Sequence, residues 1–426
     1  MADQEREYEI GGTSEAFITR ERLKQLGLVS VAGGVQFDLN VVPTIDATST
    51  KDGHLCDHNC TLHYVCASSF TLNRGVKPIY ASADEIRQSF LTAANGVRGA
   101  NKWFRESGTL NAYYENFAIP DSVKTVIEDS LDEEVIERNF FGGNPEMYPK
   151  LPQLIRQVRE DDPKCRINLT TTGRVFFRFP EKIHEYAESG VDLIALSCDD
   201  ITPDALRSTR EMDNKELHKL WDKVPKTNGH AQKAIEAIAT AKLVHALPED
   251  RQPKVLFNLV VHQANLHNLP ELMTELHYQF PNAIINPFPA QSSFDKKPGQ
   301  EQRIEFRPTD IPLLENLCDW AIQTTKYQDF PLAKRIHYWV LLKSAIEFHR
   351  ENPEEAARAM SGFDVWKCYE ELLACRYLQV GKGTEPWQPG KKSPGMHISC
   401  YWDGSVTDSM VQLTDVGVGR VENYMK

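Results

Sequence analysis

From about Phe37 the chain alternates short apolar runs of β character with longer stretches whose apolar positions recur at helical spacing. The runs Gln36–Ile45, Val135–Phe141, Arg166–Thr172, Leu193–Cys198, Val255–Val261 and Ala283–Pro287 read as strands. Between them, Leu151–Glu160, Phe179–Ser189, Gly229–Ala246 and Leu269–Tyr278 carry the 3.6-residue period of amphipathic helices. Strand-then-helix repetition predicts a parallel sheet with crossover helices. Six such steps predict an α/β fold, a partial (β/α)6 TIM-type barrel whose chemistry sits on the loops at the C-terminal strand ends.

Two stretches break the rhythm. Residues 67–134 follow the first strand's loop as a long insertion, predicted mostly helical over Ala83–Phe104 and Ser122–Leu131, with Tyr113, Tyr114 and Asn116 as lid candidates. After Thr309 the pattern turns helical (Leu314–Thr325, Pro331–Arg350, Pro353–Met360) and then loses its period in the Gly/Pro/Lys-rich stretch Val380–Gly395. The expected organisation is an adaptor segment over 1–36, a barrel over 37–308 with the insertion inside it, and a C-terminal extension over 309–426 that holds a cluster or caps substrate.

The net charge of −12 has no basic stripe within it, so no nucleic-acid partner is expected. No apolar run is long enough to span a bilayer, and the first residues lack the basic and apolar regions of a signal peptide. A cytoplasmic location with no membrane partner is expected. In that setting nine cysteines point to metal or redox chemistry rather than disulfides.

The sharpest motif is Cys56-Asp-His-Asn-Cys60-Thr-Leu-His63-Tyr-Val-Cys66, on the loop after the first strand. Three thiolates leave the fourth iron of a [4Fe–4S] cube open to a non-protein ligand. The competing reading is a structural zinc site, with His58 or His63 as fourth ligand. The second motif, Gly142-Gly143-Asn144-Pro145, ends the next strand, where paired glycines let backbone approach a ligand's polar head.

A cysteine triad after the first strand, followed by Gly-Gly-x-Pro after the second, resembles the radical S-adenosylmethionine (radical SAM) superfamily. The later order is similar to the branch with SPASM- or twitch-like C-terminal extensions: Leu-Thr-Thr-Thr-Gly (169–173), Ala-Leu-Ser-Cys-Asp-Asp (195–200) and Phe-Asn-Leu-Val-Val-His-Gln-Ala-Asn (257–265). Two departures stand out. The family's triad is Cys-x3-Cys-x2-Cys, whereas His63 takes the third position here and Cys66 follows three residues later. Cys66 is favoured as third ligand because thiolate is the usual cluster ligand, with His63 the alternative. Asn144 also stands where the family's Gly-Gly-Glu-Pro has an acid, keeping an acceptor but losing the charge.

The resemblance implies a [4Fe–4S] cluster on Cys56, Cys60 and Cys66. It implies SAM held by Gly142, Gly143, Asn144 and Pro145 at its methionine end, with Ser197, Asn258 and Val260 near its carboxylate, ribose and adenine. For Ser197 and Asn258 the competing reading is a strand-end residue satisfying local backbone. One electron from a reductant such as flavodoxin or ferredoxin would cleave SAM to a 5′-deoxyadenosyl radical that abstracts hydrogen from a small-molecule or peptide substrate. A second iron–sulfur cluster on Cys368, Cys375 and Cys400 is the weaker reading, since Cys368 and Cys375 also fit one buried helix face. Asp403-Gly404 after the run Met396–Ser399 reads as a hairpin turn. Cys165, Cys198 and Cys318 read as core thiols, and Glu211–Glu216 as a solvated turn. The rival functions are a zinc-stabilised binding protein and a radical SAM-like scaffold that has lost catalysis.

Overall fold

The computed structural model describes residues 44–47, scattered positions between 82 and 106, then 137–140, 144–198, 201–225, 229–289, 308–327, 330–333, scattered positions between 339 and 350, 398–400 and 406–407. The segment 1–36, the cysteine motif with His63, the lid candidates, Gly142, Gly143, Cys368 and Cys375 lie outside them.

Six strands, β1 (Thr44–Ala47), β2 (Glu137–Phe140), β3 (Arg166–Thr171), β4 (Leu193–Ser197), β5 (Lys254–Val261) and β6 (Ile284–Pro289), pair in sequence order, every pair parallel. β7 (Ile398–Cys400) adds on the outer side of β1, parallel to it, and β8 (Val406–Thr407) closes a hairpin antiparallel to β7. The order β6-β5-β4-β3-β2-β1-β7-β8 leaves the sheet open, so the architecture is a partial barrel. The hairpin strands fall where Asp403-Gly404 called for a reversal.

One face of the sheet is apolar because parallel strands must pack against crossover helices. Phe140, Ile167, Leu169, Ile194, Leu196, Val255, Phe257, Leu259, Val261 and Ile285 form a continuous buried core with the helices. α1 (Leu151–Asp161) presents Leu151, Leu154, Ile155 and Val158 to it, spaced by three and four so that they share one side. Burying each such side chain stabilises by roughly 1.5–3 kcal/mol. α2 (Arg174–Arg178) and α3 (Lys182–Ser189) follow β3, and α3 stops at Gly190, whose φ of 97° reverses the chain.

Between β4 and β5 lie three helices: α4 (Pro203–Ser208), α5 (Asn214–Lys223) and α6 (Gly229–His245). α5 corrects the reading of 211–216 as a turn. The Asp213 side chain accepts from the Glu216 N–H while Glu216 accepts from the Asp213 N–H, a capping box that starts the helix. α6 is buried on nearly every side because it lies against β4 and β5 while α2 and α5 pack over it. α7 (Leu269–Gln279) and α8 (Ile311–Tyr327) complete the helical layer. A second correction concerns Pro331, expected to open a helix: Leu332 instead bridges Ile285 in parallel on the free edge of β6. Among the described residues no helix is long and apolar enough to cross a membrane.

Candidate functional site

Because β1 to β6 all run the same way, their C-terminal ends share one edge of the sheet. The segment from Asn144, the Thr172-Gly173 corner and the loop after Val261 lie at that edge. The cysteine motif follows β1 in sequence.

Side chains alternate along a strand, and the face away from the helices carries polar residues among apolar ones. Asn139 aligns with Asn168, Ser197 with Asn258, and Asn258 with Asn286 across neighbouring strands. Thr170 Oγ1 donates to Asn139 Oδ1 at 2.9 Å, and Asn286 Nδ2 donates to Asn258 Oδ1 at 2.9 Å. Asn286 Oδ1 is buried and meets no hydrogen-bond donor among the described residues. A row of half-buried amides and hydroxyls on a sheet interior is unusual for a core and suits a polar ligand laid across the strands. Val260 belongs to this face too, two residues beyond Asn258.

At the end of β2, Asn144 is 1% exposed. Its Oδ1 accepts from Thr172 Oγ1 at 2.7 Å, while its Nδ2 finds no partner among the described residues. Pro145 opens a one-turn helix (Pro145–Met147) that carries Glu146, also buried, under the sheet edge. Thr171 Oγ1 donates to Glu146 Oε1 at 2.5 Å and accepts from the Gly173 N–H at 2.9 Å. The consecutive residues Thr171 and Thr172 therefore hold the turn from opposite sides of β3, Thr172 toward the polar face and Thr171 toward the helices. Burial pushes the Glu146 carboxyl up to about 7, the Thr171 hydrogen bond opposing.

Gly173 takes φ +85° and admits α6 to close quarters: Thr240 Oγ1 donates to Glu236 O at 2.8 Å and reaches Gly173 O at 3.1 Å. After β5, Asn265 ties the next turn by accepting from the His262 N–H at 2.9 Å and donating to Val260 O at 2.8 Å.

Of the residues singled out from sequence, Asn144, Pro145, Ser197, Asn258 and Val260 thus lie along the C-terminal edge and polar face of one sheet. Cys400 closes β7 in register with Ala47, at that same edge. Cys165, Cys198 and Cys318 are buried. Burial raises the thiol pKa of Cys165 and Cys318, as for inert core thiols. Among the described residues no group of His, Cys, Asp and Glu could hold a metal ion. Sequence reasoning passed over Glu146, Thr172, Asn139, Thr170 and Asn286. The signal for Thr170 was the polar alternation Arg166, Asn168, Thr170 along β3.

The class defined by this architecture is an open, parallel α/β half-barrel with its binding edge at the strand C-termini. Residues 105–242, about a third of the chain, match the model of the radical SAM superfamily. The matched stretch takes in β2, β3, β4 and most of α6, and begins beyond the cysteine motif. The probable GTP 3′,8-cyclase of Methanococcus maripaludis is 26% identical over 130 residues, 30% of this chain and 39% of that protein. The chain therefore spans well under half the length of that curated relative. The crystal structure of Streptococcus suis SuiB aligns with a TM-score of 0.42 at 12% identity, covering 91% of this chain and 63% of SuiB. SuiB bound to S-adenosylmethionine aligns at 0.40 with 11% identity, over 96% of this chain and 67% of that one.

Proposed function

We propose that the chain is a radical SAM enzyme that binds a [4Fe–4S] cluster through Cys56, Cys60 and Cys66 and holds SAM on the polar face beside it. The observation that carries this reading is Asn144: a buried amide after β2 whose Nδ2 meets no partner among the described residues while Thr172 fixes its Oδ1. A buried donor left unmade costs about 1–3 kcal/mol, so the site favours a ligand that brings an acceptor. The carboxylate of SAM's methionine end is such an acceptor. The group fits a donor here, where the family's usual glutamate would instead accept from the ammonium.

When bound, the cluster and SAM together supply a 5′-deoxyadenosyl radical after one-electron reduction by a flavodoxin- or ferredoxin-type partner. The protein's own part is placement. Gly142 and Gly143 bring backbone close to the methionine end, Asn144 and Pro145 fix the turn, and Ser197, Asn258 and Val260 line the face along which ribose and adenine extend. The partial barrel keeps water from the reacting atoms. The acidic chain favours a small-molecule or peptide substrate.

The test is reductive SAM cleavage by anaerobically reconstituted protein. Wild type should release 5′-deoxyadenosine and methionine under dithionite, and the triple variant Cys56→Ala/Cys60→Ala/Cys66→Ala should release neither. Cleavage retained in the triple variant would overturn the assignment.

A further inference from the structure

Glu146 has no part in the ligand set above, yet it is an acid buried where acids are rarely found. It is 4% exposed, one carboxyl oxygen bonded to Thr171 and the other, Oε2, without a partner among the described residues. It sits two residues after Asn144, on the helix side of β3, while Asn144 is held on the opposite side by the neighbouring Thr172. Four consecutive chemical links join the two: Gly173 N–H to the Thr171 hydroxyl, Thr171 to Glu146, the peptide from Glu146 back to Asn144, and Asn144 to Thr172.

We propose that Glu146 is a positioning residue: its carboxyl, gripped by Thr171, clamps the Asn144–Met147 turn to the end of β3 and so sets the height at which Asn144 meets the ligand. The inference rests on the SAM site proposed above.

Burial outweighs the donors that favour a charged carboxyl, which are the Thr171 hydroxyl from β3, the Glu146 backbone N–H and the Val175 backbone N–H from α2. α6 contributes Glu236, whose charge repels a second anion, and α3 contributes Tyr186, whose hydroxyl donates to the Glu146 backbone oxygen at 3.4 Å. No ion pair to Glu146 occurs among the described residues. Burial and the Glu236 charge both raise the carboxyl, to about 7. Ionisation places an uncompensated charge under the turn, and the least costly relief is for the short Pro145–Met147 helix to swing its carboxylate toward water. That movement takes Asn144 with it.

If only the neutral form presents Asn144 correctly, apparent SAM affinity scales with the neutral fraction and falls about tenfold between pH 6 and pH 8. Glu146→Gln keeps the acceptor for Thr171 and cannot ionise.

Two measurements on the reconstituted holoenzyme test this. The first is amide hydrogen exchange of the 142–150 segment without SAM, corrected for intrinsic rates. Protection should drop from pH 6 to pH 8 in wild type and stay level in Glu146→Gln, while Thr171→Val should lack it at both values. The second is SAM affinity by equilibrium dialysis. Wild type should weaken about tenfold relative to Glu146→Gln across the same range, the titration of SAM's own amino group being common to both. Matching pH profiles in the two proteins, in either measurement, would overturn the proposal. Loss of protection as expected, with no SAM bound by either protein, would instead overturn the SAM site and leave the clamp standing.

Discussion

Gly173→Ala tests the corner that supports the turn, and its magnitude follows from the geometry. Gly173 has φ +85°, and an alanine in that region costs roughly 1–2 kcal/mol on backbone grounds alone. Its Cβ would also lie 2.3 Å from Thr240 Oγ1 and 3.0 Å from both Glu236 O and Thr240 Cβ. Thr240 is completely buried and its hydroxyl is tied to Glu236 O, so retreating breaks that hydrogen bond and presses on packed neighbours. α6 must therefore back away from β3, and overpacking of this kind typically costs about 1–3 kcal/mol. The expected loss is about 3 kcal/mol, read from urea unfolding followed by circular dichroism. Thr240→Ala alone removes one hydrogen bond and a methyl, for about 1 kcal/mol. The double variant removes the closest contact, so it should cost less than the sum of the singles by about 1 kcal/mol. Strict additivity, or Gly173→Ala within about 0.5 kcal/mol of wild type, would refute this account of the corner.

Three further outcomes are expected. Folded Glu146 keeps a proton that the unfolded chain releases above its ordinary value of 4.5, so its contribution is present at low pH and is lost as pH rises through about 7. Thermal stability of wild type should fall relative to Glu146→Gln over that window, by at most about 3 kcal/mol, and parallel curves would contradict it. If Cys66 is the third ligand, Cys66→Ala should lose the cluster spectrum and His63→Ala keep it; the reverse makes the motif Cys-x3-Cys-x2-His. Gly143→Val should weaken SAM binding with cluster and unfolding temperature retained, whereas normal binding in a folded variant removes the turn from the site.

The strands were legible because alternation and β-branched content coincide: Arg166–Thr171 and Leu193–Ser197 each end within one residue of where the pattern places them. α5 was hidden because Asp213 and Glu216 resemble solvated charge until they bond each other's backbone. Pro331 was misread because a bridge to Ile285 is a long-range pairing with no local signature. At the site, the Gly-Gly-Asn-Pro motif drew attention to Asn144. That its Oδ1 is taken by Thr172, leaving a donor, depends on the strand register. Glu146 gave no signal at all. An acid in sequence reads as surface, and only the packing of β3, α2 and α6 buries it.

The central claim, an iron–sulfur cluster with an iron open to SAM, is tested most directly by electron paramagnetic resonance of the reduced, anaerobically reconstituted protein. The account predicts about four irons per chain, or more with a second cluster, and a reduced-cluster signal that changes shape when SAM is added. A colourless protein carrying zinc, or a cluster signal that SAM leaves unaltered, would contradict it.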